Sequence, residues 1–525
     1  MAIDFKSATT NSTTIKSYDF SKVTSAEIAD ISSAQLKLLS ATQVAAISSD
    51  AIAAIDSSAL KGLNADQMLA LIESQIQAFD PDSQFANLGA IQVKALSSGQ
   101  MAMLTTAQVE ALTTLQARVL GANQVAGLST TQLGALETAD LKAMSALAVK
   151  GFSSSQMTAL SSDQVVALTT AQLVGLSSSQ VAGIEATDLD ELSTAQVRAL
   201  SNTGLAGLTT EQVEGMTTAQ VTALSALQMK ALSSTQLQAL TTDQAAVLTS
   251  AQVQSLTAAQ VSGMDTADIE QLGTAQIRAL TASAVSGLST AQIANLTTLQ
   301  VSVLKADQIK VMSTAQIAAL TSEQAGVLST LQAVGLSATQ IKAMDSEDVA
   351  ALSTSVIGKL TAVQVQGLNT AQIEALTTGQ AASLGATQLA ALSSSQLAAV
   401  QTEDFKQLGS AQLGYLNPNV MGGLSTEQLS NMGTDQIAAL GALQVKQLST
   451  ANIEALSSDQ LKAMSKASLT ALSSAQVMAI TANDLSQLDS SQIQALSNMG
   501  LSGLTTAQID PAKHWIPGLR VLRAH

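Results

Sequence analysis

Cysteine is absent from this 525-residue chain, so no disulfide and no Cys-ligated metal can hold it together, and the usual redox clue to compartment is missing. Only two histidines occur, His514 and His525, both at the far end, which excludes a Ser-His-Asp arrangement or a His-ligated metal from everything before them. Aromatics make up 2% of the residues and charged side chains 12%, against 46% hydrophobic content, a balance unlike that of an ordinary enzyme. The net charge of −16 comes without any Lys/Arg stripe to neutralise phosphates, so nucleic acid is not an expected partner. No run reaches the roughly 18 apolar residues that a membrane span needs. GxGxxG and P-loop motifs are also missing. The acidic cluster Glu185, Asp188, Asp190 and Glu191 has no Gly-bearing calcium loop beside it and reads as a solvated helix face. The expectation is a protein that is not an enzyme and that carries no catalytic residue, no cofactor and no metal site.

What is present is one octad, repeated. Residues 209–256 read TTEQVEGM, TTAQVTAL, SALQMKAL, SSTQLQAL, TTDQAAVL, TSAQVQSL. The positions, p1 to p8, are Ser/Thr, Ser/Thr, variable, Gln, Val/Ile/Leu, variable, Ala/Gly, Leu/Met. Ser/Thr at p1 followed three residues later by Gln at p4 is a capping box, in which the p1 hydroxyl accepts from the p4 N–H and the Gln side chain reaches back to the p1 N–H. Leu at p8 and the aliphatic residue at p5 of the next octad form the hydrophobic staple that flanks such a cap. Each octad therefore predicts a short helix over p2–p7. Glycine recurs at p7 (Gly127, Gly151, Gly175, Gly207, Gly287), as suits a chain that turns out of a helix and packs closely.

Proline agrees. Asn417-Pro418 falls on p1-p2, an N-cap followed by the one helical position that tolerates proline; Asp80-Pro81 and Asp510-Pro511 are similar pairs where the register shifts or ends. A single unbroken helix is excluded by the period, because an octad overshoots two turns by roughly 80° and its apolar stripe would circle the axis. The fold expected is all-α, a solenoid or superhelix of short capped helices, one per octad, with a β-solenoid as the second choice.

The chain divides into a non-repeating arm at 1–22, a first octad block at 23–79, the main array at 80–504 and a tail at 505–525. One extra residue enters at Asp80-Pro81, read as a local kink or a boundary. The arm, with Phe5, Tyr18 and Phe20, is either disordered or a cap on the open end of the first octads. Departures from Gln at p4 are ordered: Asp188 is followed two octads later by Gly204, Asp268 by Ala284, Asp404 by Val420, Asn452 by Ser468 and Asp484 by Gly500. If successive helices alternate in direction, octads n and n+2 share a layer and each short acid faces a vacated site. Asp188, Asp268 and Asp348 recur every ten octads, which suggests a superhelical turn or a duplicated block. Residues 401–424 are the most irregular, with a kink as the first reading and a binding surface as the second.

The repeated L-[ST]-[ST]-x-Q-[VI]-x-A-L resembles the octapeptide arrays of large bacterial secreted and surface proteins of the adhesin-like kind. That resemblance implies a long extracellular scaffold and lends no catalytic residue. The function expected is a structural scaffold, filament or surface-layer component that self-associates, with an adhesin-like solenoid binding a peptide, a glycan or a surface along one face as the alternative. The arm lacks the basic and apolar regions of a Sec signal peptide, so a secreted or cell-surface location implies another export route, the alternative being cytoplasmic. The tail carries Trp515, Ile516, Leu519, Arg520, Leu522 and Arg523, an apolar and basic set within an acidic molecule. These residues are the candidate assembly or capping contacts, with the arginines set against acidic octads such as 185–191.

Overall fold

The computed structural model describes residues 3–7 and 11–509. Around Gln252 the octad does what its sequence predicts. Thr249 is extended (φ −74°, ψ 154°) and caps the helix Ser250–Ser255, and the Gln252 side chain accepts from the Thr249 N–H at 2.7 Å. Leu256 then leaves the helix in extended geometry (φ −64°, ψ 140°) while its N–H still donates to the Val253 carbonyl at 3.2 Å. Two extended residues, p8 and p1, thus make each corner. Glycine at p7 does not make it: Gly127 stays right-handed (φ −77°, ψ −18°). No strand occurs among the described residues, and the protein is an all-α solenoid of short helices.

The corners close a turn every three octads. Helix Ala226–Ala231 packs on Ser250–Ser255, and Ser234–Gln238 packs on Ala258–Gly263, so each helix lies over the one three octads before it. This overturns the two-octad layer expected from alternating directions. The helices run head to tail around a three-sided coil of three octads, 24 residues per turn, and p4 residues two octads apart lie on different sides. Residues at p5 and p8 point into the coil, Val253 and Leu256 being buried, whereas p3 and p6 point outward. The chain forms two compact units of this construction, Met1–Leu272 and Gly273–His525.

The described part of the arm covers the start of the array. Phe5, Ile15 and Phe20 are buried, Tyr18 meets Phe20 edge-on at 5.3 Å, and Gln43 Nε2 donates to the carbonyls of Ile15, Lys16 and Tyr18. At the insertion, Asp80 caps a π turn, Pro81–Phe85, in which Phe85 N–H reaches the Asp80 carbonyl at 2.8 Å. A wider turn absorbs one extra residue, so Phe85 still lands in the core and stacking continues on both sides. Asn417 likewise caps a 3-10 helix, Pro418–Gly423, with proline at its first position. The candidate tail contacts Trp515, Ile516, Leu519, Arg520, Leu522 and Arg523 lie outside the described residues.

Candidate functional site

The recurring polar site of the coil is the p4 glutamine. Gln252 is 1% exposed and uses both ends of its amide. Its Oε1 accepts from the Thr249 N–H, which completes the capping box, and its Nε2 donates to the carbonyls of Val221 and Leu224 at 2.8 Å each. Those carbonyls belong to p5 and p8 at the corner one turn earlier. One side chain therefore caps its own helix and ties it to the coil beneath. A capping box alone would accept Glu as readily as Gln; only the amide also donates. Glu appears at p4 once, at Glu27 in the first octad, where its carboxylate accepts from Thr24 and from the Ile3 backbone, which together hold it below the usual carboxylate range.

Aspartate at p4 reverses this polarity, since an ionised carboxylate offers only acceptors. Asp188, Asp348 and Asp484 are met by a serine one turn below, Ser162, Ser322 and Ser458, whose hydroxyls donate at 2.6, 3.0 and 2.5 Å. At Asp140 and Asp268 the corresponding residues are Thr114 and Thr242. The Oδ2 atoms of Asp140, Asp268 and Asp348 are buried without a hydrogen-bond partner. Burial raises the Asp140 carboxyl to about 6, helped by Glu137, and the Asp268 carboxyl to about 6, helped by Asp265. Ten octads are not a whole number of turns, so Asp188 and Asp268 lie on different sides of the first unit and line no common face.

Where p4 is too small to act as a spacer, the helix settles onto the coil below. In 201–208, Gly204 replaces Gln, and a Cβ on Gly207 would stand 2.1 Å from the Ser178 carbonyl oxygen. The same approach occurs at Gly151 (p4 Ala148), Gly423 (p4 Val420) and Gly503 (p4 Gly500). Only glycine admits a carbonyl there. Gly127 shows the approach with Gln124 in place, so a small p4 is one route to it among others.

Among the described residues the outer surface carries no concentrated apolar site. Exposed aliphatics cluster at p3, but Ile91 and Leu115 lie on one side of the first unit, Leu147 on the second and Leu227 on the third, and Leu299, Leu331 and Val363 spread likewise over the second unit. In 401–424 Phe405 is buried in the coil and Tyr415 is exposed; the gap beside Asp404 holds about 10 Å³, room for one water at most. Among the described residues no carboxylate group is arranged to hold a metal, and no helix is long and apolar enough to cross a membrane.

The hexapeptide ALTTAQ stands in this chain at 167–172, spanning p7 of one octad to p4 of the next. The sequence family described as the ALTTAQ repeat matches residues 133–170, 181–218, 189–226, 226–258, 261–298, 300–330, 341–378 and 401–442. No curated protein matches the chain. The family matches together cover about half of the sequence, and every one of them spans more than a full turn of the coil, so the chain belongs to the ALTTAQ repeat family.

Proposed function

We propose that this is a structural protein without catalytic activity, an extracellular scaffold that self-associates into a filament or layer. The observation that carries the reading is the p4 side chain: the same buried amide joins most coils to the one beneath, while the loosely mixed p3 and p6 positions point outward. In an array built this way each coil leans on its neighbours, so repeats can be added without changing the rest. Head-to-tail contacts that do not close on themselves give open filaments. The tail, with Arg520 and Arg523 in an acidic molecule, supplies a contact of opposite charge for a neighbouring copy. The scatter of exposed aliphatics over all sides favours this reading over an adhesin that binds along one face.

Negative-stain microscopy and light scattering on the full chain test it. Concentration-dependent filaments or sheets are expected, and they should disappear when 510–525 is deleted. A chain that stays monomeric at high concentration overturns the reading, and fractionation that leaves it wholly in the cytoplasm overturns the extracellular placement.

A further inference from the structure

One side of the first unit is formed by the helices Ala90–Ala95, Thr114–Ala117, Thr138–Ala143, Ser162–Ala167, Ala186–Leu189 and Thr210–Gly215, each packed on the next. Numbered one to six in chain order, these coils sort the charges at their outward p3 and p6 positions; Glu137, at p1 of coil three, lies at a corner outside this pattern. Lys94, Arg118 and Lys142 occupy p6 of coils one, two and three, all exposed. Asp163 follows on coil four, Asp190 on coil five, and Glu211 with Glu214 on coil six, again all exposed. The ion pairs among the described residues lie elsewhere, so none of the three cations is paired with a described carboxylate. The neighbouring side, from Thr106–Glu110 to Ala226–Ala231, carries only Glu110 and Lys230 at its p3 and p6 positions, so this segregation is not a general property of the array.

We infer that this side of the solenoid is a self-complementary surface that pairs with the same side of a second copy of the chain, antiparallel about a two-fold axis between coils three and four. In that arrangement coil one lies on coil six, two on five and three on four. Lys94 then faces Glu211 and Glu214, Arg118 faces Asp190, and Lys142 faces Asp163, each contact occurring twice, as an isologous interface requires. Parallel pairing would set cation on cation. Relief agrees with charge. Ile91 and Leu115, 72% and 69% exposed, protrude from coils one and two. Opposite them an open hollow of about 250 Å³ lies between coils five and six, lined by Ala186, Thr187, Asp190, Glu211, Glu214 and Gly215. Packed helices lie about 8–10 Å apart, close to one Debye length of about 8 Å at physiological salt. Each cation therefore answers mainly to the carboxylate directly opposite. This lateral contact deepens the self-association reading, on which it rests, yet needs no part of the tail.

Sedimentation analysis of the full chain at low and high salt tests the pairing. The wild type is expected to form dimers at low salt that dissociate as salt rises. A chain with Lys94→Glu, Arg118→Glu and Lys142→Glu, and another with Asp163→Lys, Asp190→Lys, Glu211→Lys and Glu214→Lys, should each be monomeric, with association weakened about 100-fold or more. Mixed together they should form a one-to-one pair, because every facing pair is again opposite in charge, and a chain carrying all seven changes should dimerise with itself. Circular dichroism and melting of each variant establish that it is folded. Wild-type pairing by either charge-reversed variant alone, or folded variants that stay monomeric when mixed, overturns the proposal. Arg520→Glu with Arg523→Glu separates the two modes of assembly. If it abolishes all association while the charge-reversed variants pair normally, the face contact is wrong and the tail-driven filament stands. If it changes nothing while the charge-reversed variants are monomeric, the tail contact is wrong and the face stands.

Discussion

The coil around Gln252 and the coil around Asp188 come from the same octad and differ in the direction of one hydrogen bond. At Gln252 the p4 group donates downward to two carbonyls and accepts from its own N-cap. At Asp188 it accepts from below, from Ser162, and Glu185 at p1 offers its helix no side-chain cap. The first arrangement satisfies the corner beneath it; the second leaves the carbonyls of that corner without the amide that meets them elsewhere. Regular coils are thus joined by a donor that belongs to the repeat itself, whereas aspartate coils depend on which residue the coil below happens to supply. At Asp140 and Asp268, which stand above threonines, no such serine is supplied and a buried oxygen is left without a partner, while at Asp348 Ser322 meets one oxygen and leaves the other without one.

The largest expected effect breaks the regular coil. Gln252→Ala removes the acceptor for Thr249 N–H and the donor to the buried Leu224 O, and leaving the two groups unpaired costs about 2–3 kcal/mol. Gln252→Glu should cost more despite its matching shape, because it turns a carboxylate oxygen toward two carbonyls and buries a charge. Urea unfolding followed by hydrogen exchange checks both, with lost protection concentrated in the coils next to Gln252. A Glu variant as stable as the wild type would remove the donor argument.

The collapsed coils give the next effect. Gly207→Ala places a methyl 2.1 Å from the Ser178 carbonyl, and overpacking of this kind costs about 1–3 kcal/mol. Gly134→Ala meets nothing within 4 Å and replaces a helical glycine, so it should stabilise by about 0.5–1 kcal/mol. Opposite signs in thermal melts would show that Gly207, at p7, is needed for approach to the coil below, a need that Gly134, at the outward p6, does not have.

Much of this was legible in the sequence. The capping box, the p2–p7 helix, the placement of Pro81 and Pro418 and the bend at every octad all follow from local chemistry, and each is present in the structure. The number of octads per turn was not legible, because the corner geometry that sets it depends on p8 and p1 dihedrals that many residues adopt. The coupling role of Gln went unread as well, though it left a signal: Glu, equal to Gln as a capping partner, is missing from p4 beyond Glu27. Acidic or amide residues at p1 beside aspartate at p4, as in Glu137 with Asp140 and Asp345 with Asp348, were a second signal that the cap is built differently there.

Acidity distinguishes the two kinds of coil further. The Asp140 and Asp268 carboxyls titrate near 6 in the folded protein, above the ordinary 3.8. Their folded-state pKa is raised, so the stability they contribute is fully present below about pH 4 and is lost as pH rises through 6. Asp140→Asn with Asp268→Asn should therefore melt higher relative to the wild type at pH 7.5 than at pH 4. The carboxyls of Asp19, Asp56 and Asp489 are held low by hydrogen bonds from neighbouring serines and pull the other way, losing stability as pH falls. The difference between variant and wild type, rather than the pH profile of either alone, isolates the buried pair. An equal difference at both pH values would assign no role to burial.

The smallest effect converts one kind of coil into the other. Asp140 lies above the corner formed by Val109 and Leu112, in the register in which Gln132 meets Met101 and Leu104. Asp140→Gln should let a new amide donate to that corner and accept from the Glu137 N–H, and it removes a buried carboxylate with an unpaired oxygen. The hydrogen bonds gained are worth about 1 kcal/mol in net terms, which should raise the melting temperature at pH 7.5 and abolish this site's share of the pH dependence. Glu137 is the complication, because this helix has no side-chain cap and the glutamine can complete only its half of the capping box. Glu137→Ser together with Asp140→Gln rebuilds the full octad, and the pair should stabilise by more than the sum of the single changes, since each supplies what the other's cap lacks. Strict additivity would mean that the two halves of the cap act independently, and that the difference between the coils lies in the downward bond alone.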